Sequence, residues 1–84
     1  MNKRKLLEKI LAGPKNVRFS DLVALLKAAG FQQIRIRGSH QLFAHPQIPE
    51  LVNLQKRGAK AKPYHVRQCL LLIEQYNLRL GDDS

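Results

Sequence analysis

The sequence predicts an α+β fold: a small antiparallel sheet with helices packed on one face and a further helix added in front. Three observations carry this. Residues 20–29 and 63–77 repeat apolar positions at the helical period, residues 31–37 alternate at the strand period, and 84 residues leave room for one modest core.

Taken in order, residues 2–12 read as a short helix, with Leu7, Ile10 and Leu11 as an apolar stripe against Lys3, Arg4, Lys5 and Lys9. Gly13 and Pro14 end it. Ser20 is a suitable N-cap and Asp21 a favourable first-turn charge for a second helix. Its Leu22, Leu25, Leu26 and Ala29 fall at i, i+3, i+4 and i+7, and Gly30 closes it. In the strand that follows, Ile34 and Ile36 are expected on the helix-covered side and Arg35 and Arg37 on the open side. Gly38 and Ser39 form a turn, and a second strand runs over 41–45 to Pro46, which cannot donate to a ladder.

A third strand is expected over 51–55 after a proline-flanked loop, and then a basic loop over 56–62, too charged and glycine-broken for core. Pro63 opens the last helix, in which Val66, Cys69, Leu70, Ile73 and Tyr76 or Asn77 line one side. The organisation is then a helical extension over 1–15, one domain over 16–80 and a polar, frayed tail over 81–84.

The charge narrows the function. Fifteen Lys and Arg against six Asp and Glu give +9, which calls for an anionic partner, nucleic acid before membrane. Residues 32–67 alone hold seven basic residues and one acid, Glu50. No apolar run approaches the roughly 18 residues of a spanning helix, and the basic start lacks the features of a signal peptide. A cytoplasmic location is expected, in keeping with the lone Cys69, which has no internal disulfide partner.

His40 is the first catalytic candidate, opening a strand just after a turn beside two arginines. An imidazole with an unperturbed pKa near ~6.5 can serve as a base at neutral pH. RNA suits so small a site, because its 2′-OH is a built-in nucleophile that needs only deprotonation. The plainer alternative makes His40 a turn residue. His45 and His65 are weaker candidates for a general acid, His45 reading better as structural. His65 and Cys69 have metal-ligand spacing, but Cys69 falls on the apolar stripe, so neither metal nor cofactor is expected. The carboxylates are too scattered for two-metal chemistry. Phe43 reads as core rather than as a base-stacking platform.

The run Arg37-Gly38-Ser39-His40, with Leu42-Phe43, His45-Pro46, Asn53-Leu54-Gln55 and the stretch from Ala61 to Gln68, resembles the HicA toxins of bacterial toxin–antitoxin pairs over residues 18–79. The resemblance implies a fold like that of double-stranded-RNA-binding domains (dsRBD-like, α-β-β-β-α with a three-stranded sheet). It implies a metal-independent mRNA interferase, an endoribonuclease whose catalytic histidine falls on His40. It also implies a HicB-type antitoxin that covers the active site. Gln41 stands where many members have a second histidine, and the first helix lies outside the usual core. The expected RNA-binding residues are Arg35, Arg37, Ser39, Lys56, Lys60 and Lys62. The rival reading is a non-catalytic double-stranded RNA-binding module; a third is an interaction protein whose basic face serves an acidic partner.

Overall fold

The computed structural model describes residues 3–81; the expected helix start at Asn2 and the tail beyond Gly81 lie outside them. The elements are α1 (Lys3–Ala12), α2 (Phe19–Ala28), β1 (Gln32–Arg37), β2 (His40–Ala44), β3 (Val52–Arg57), β4 (Lys60–Ala61) and α3 (Pro63–Gln75). The strands form one antiparallel sheet in the order β1-β2-β3-β4. From α2 to α3 this is the expected α-β-β-β-α arrangement with one short strand added, and α1 packs on α2. No helix of the described residues is long and apolar enough to cross a membrane.

The core lies between the helices and one sheet face. Phe43, Val52 and Leu54 are fully buried beneath Leu22, Leu25 and Leu26 of α2 and Val66 and Cys69 of α3. Burial desolvates the Cys69 thiol and pushes its pKa up to about 12. The helical period of α2 places Leu22, Leu25, Leu26 and Ala29 inward as expected. Its first turn differs, because Arg18 rather than Ser20 is the N-cap, and no side chain caps it. The chain enters α2 already bonded to the sheet, Phe19 N–H donating to Ala59 O at 2.9 Å. A side-chain cap at Ser20 is therefore not what fixes the start.

The sheet departs from expectation at both edges. The stretch read as a basic loop is the end of β3, a two-residue turn and β4. Alternation survives there, with Ala61 inward opposite Lys56, which a count of charges does not reveal. Outside β4, residues 17–19 add a further layer of pairing: Arg18 bridges Lys60, and Ala61 N–H donates to Val17 O at 2.9 Å.

At the other edge the helices do not cover the isoleucines. Ile34 is 53% and Ile36 60% exposed, and every residue of β1 is exposed. The register shifts between Gln33 and Arg35, so Ile34 is the extra residue of a bulge, while Ile36 faces the helix side but lies beyond the helices' reach. In α1 the buried residues are Leu6 and Ile10, with Leu7 half-buried and Leu11 exposed, a stripe one position earlier than expected. In α3, Leu72 is buried while Leu70 is half-buried.

His45 closes the fold behind the sheet. Its Nε2 donates to Ala29 O at 2.9 Å, and its Nδ1 accepts from Gln47 N–H at 3.0 Å, so the two bonds define one tautomer. The ring meets Phe31 edge-on at a centroid distance of 5.1 Å. Gly30 must be glycine on two counts. Its φ is +102°, and a Cβ there would stand 2.7 Å from His45 Nε2. Gly30→Ala is expected to cost about 2–4 kcal/mol, combining backbone strain with a displaced buried hydrogen bond. Gly13→Ala, into open space, should stay within about 0.5 kcal/mol. Urea unfolding midpoints of the two variants measure the difference.

Candidate functional site

Two hairpin turns of the same kind shape the open face. Gly38 has φ +59° and Gly58 φ +61°, each the first central residue of a two-residue turn. Glycine at that position, followed by a residue at negative φ, is the type II′ pattern that suits strand twist. Because β2 and β3 are joined at the opposite end, both turns lie at the same end of the sheet. Ser39 links them, its carbonyl accepting from Lys56 N–H at 3.0 Å.

Register then decides which side chains meet. Residues paired across strands share a face, so Arg37, His40 and Gln55 form one row and Arg35, Leu42 and Asn53 the next. The buried residues Phe43, Val52 and Leu54 alternate with them, which places both rows on the face the helices leave open. Arg35, Arg37, His40, Leu42 and Asn53 together line a shallow cavity of about 340 Å³. His40, Arg35 and Arg37 are exposed, and none has a side-chain hydrogen bond or ion pair among the described residues.

Of the other expected lysines, Lys62 is the one bonded to the row that holds His40. Lys62 Nζ donates to Gln55 Oε1, across the strand from His40, and lies 5.9 Å from the Tyr64 ring. Lys60 pairs with Arg57 across β3–β4 and donates to the Asn16 side chain. Lys56 is exposed but shares the alternation of Leu54 and Ala61, so it projects from the other side of the hairpin. Arg57 is the residue the sequence reading missed. Once the basic stretch is a hairpin, alternation from Gln55 brings Arg57 to the open face, its side chain without a partner among the described residues.

The three histidines have separate environments. His40 is exposed at the cavity. His45 is buried with both ring nitrogens engaged, and so has none left to offer a substrate. His65 is buried in the first turn of α3, its ring 4.2 Å from that of Tyr64, and its Nδ1 has no hydrogen-bond partner. Burial first, then Lys62 and His40, lower its pKa.

Fold and face together define the class: a small basic α+β domain of double-stranded-RNA-binding-like architecture, with unpaired cations gathered around an exposed histidine on the open side of its sheet. Residues 19–77 match the family described as the HicA toxin of bacterial toxin–antitoxin systems, and the chain belongs to that family. It is thus the toxin of a toxin–antitoxin pair and has an antitoxin as its partner. The match takes in the whole sheet and both of its helices and leaves out α1. No curated protein and no solved structure matches the chain.

The lowered pKa of His65 makes stability depend on pH. Below the unfolded-state value of about 6.5 the unfolded chain binds a proton that the folded chain resists. The contribution is therefore complete above that pH and is lost as pH falls through the lower folded-state value. His65→Leu should flatten the decline of the urea midpoint between pH 7.5 and 5 relative to the parent. Parallel curves for the two proteins would refute this.

Proposed function

We propose that the chain is an endoribonuclease toxin that cleaves mRNA without a metal, with His40 as general base. The observation that carries this is the convergence of His40, Arg35 and Arg37 on one open cavity, the arginine side chains lacking a partner among the described residues. Unpaired guanidiniums on an exposed face suit phosphate, which they can hold through two parallel hydrogen bonds.

In this reading His40 takes the proton from a ribose 2′-OH. The freed oxygen attacks the adjoining phosphorus, the bond to the 5′-oxygen breaks, and that oxygen leaves with a proton from water, to which His40 later returns the one it took. The products are a 2′,3′-cyclic phosphate and a 5′-hydroxyl. Arg35 and Arg37 stabilise the charge that gathers on the phosphoryl oxygens. Ser39 sets the turn that presents His40. Lys60, Lys62 and Arg57 extend the cationic surface along the same face, and Lys56 draws RNA to the hairpin from its other side. A HicB-type antitoxin silences the toxin by covering this face, and the pair acts in the cytoplasm, where mRNA is found.

His40→Ala should reduce cleavage of a single-stranded RNA by about 10²- to 10⁴-fold while leaving binding within twofold. Unchanged cleavage would overturn the assignment and favour a binding module of the same fold. Arg35→Ala and Arg37→Ala should each weaken RNA binding and lower the slope of log K against log salt by about 0.7. Cleavage by the parent should persist in a chelator.

A further inference from the structure

The two outer strands of the sheet are treated differently. β4 has its outer side occupied by residues 17–19, through the Arg18–Lys60 bridge and the bonds of Phe19 and Ala61. β1 has nothing there: among the described residues no backbone bond outside the β1–β2 ladder involves residues 32–37. A strand edge with unpaired amides and carbonyls is a template for another strand.

The side chains on that edge select the occupant. Ile34 and Ile36 are both more than half exposed, an apolar pair that offers nothing to a phosphate. Arg35 and Arg37 alternate with them, and their side chains have no partner among the described residues. A second copy of this chain would set arginines against arginines on a protein already carrying +9. An extended segment that alternates acidic and apolar residues meets both demands. Its carboxylates fall beside the arginines on the open face, and its apolar residues fall beside Ile36 on the other.

We propose that the outer edge of β1 is the docking edge for an extended acidic segment of the partner protein, which adds a fifth strand to the sheet. The proposal rests on the antitoxin half of the proposed function and is independent of the chemistry at His40. Neighbouring strands lie about 4.8 Å apart, so the added carboxylates would neutralise the two arginines that line the cavity. Docking and loss of phosphate binding are then one event.

Two blocked octapeptides of equal composition serve as probes, one alternating glutamate and valine and one with the four glutamates ahead of the four valines. Binding to the whole protein and amide hydrogen exchange over residues 32–37 are measured by NMR. The alternating peptide should bind about tenfold more tightly, the sum of a few cross-strand pairs, and should slow exchange in β1. Ile36→Ser should weaken it about fivefold, the loss of one apolar contact, with RNA cleavage unchanged.

Equal binding of the two peptides, or no new protection in β1, overturns the proposal. So does the same protection by a 2′-O-methyl uridine decamer, which would assign the edge to RNA. Peptide docking in a protein that fails to cleave RNA would sustain the edge and sink the nuclease reading.

Discussion

Phe43, Val52 and Leu54 hold the remainder of the molecule in place. All three are fully buried on one side of the sheet, and in an extended chain that commits their neighbours to the other side. A slip of one residue in β2 would drive His40 and Leu42 into the core and expose Phe43, at a cost of several kcal/mol for the aromatic ring alone. The site is therefore not held by bonds of its own. His40, Arg35 and Arg37 stand on the outside because the inside is packed, and their position follows from the register of a sheet whose other face is the core.

Where apolar spacing was strong, the sequence could be read to the residue. Leu22, Leu25, Leu26 and Ala29 are buried as the helical period requires, and Gly30 ends the helix with a positive φ. The Gly38-Ser39 turn and the position of His40 after it were legible for a similar reason, since few residues other than glycine suit the first place of that turn. The edges were not. Whether Ile34 and Ile36 are covered depends on how far the helices extend, a tertiary fact that a strand's own alternation does not contain. The bulge at Ile34 is also invisible in a pattern of alternating isoleucine and arginine.

The basic hairpin shows a second limit. Lys56 to Lys62 reads as a loop because four of its seven residues are Lys or Arg and its second strand is only two residues long. Its pairing is supplied from outside, by β3 on one side and by residues 17–19 on the other. Arg57 reaches the open face only once that pairing is known. The histidines show the converse, three similar residues whose roles separate by environment alone. His40 is exposed beside arginines, His45 is bonded at both nitrogens, and His65 is enclosed beside Tyr64.

Cys69 gives the molecule a clock that runs only when it opens. With its pKa pushed up to about 12 and no exposed surface, the thiol holds almost no thiolate at neutral pH. Thiol-directed reagents therefore pass Cys69 by in the folded protein and capture it only in chains that have transiently lost their core. The rate at which this single thiol is modified counts those excursions, so the native state carries its own gauge of how often it comes apart.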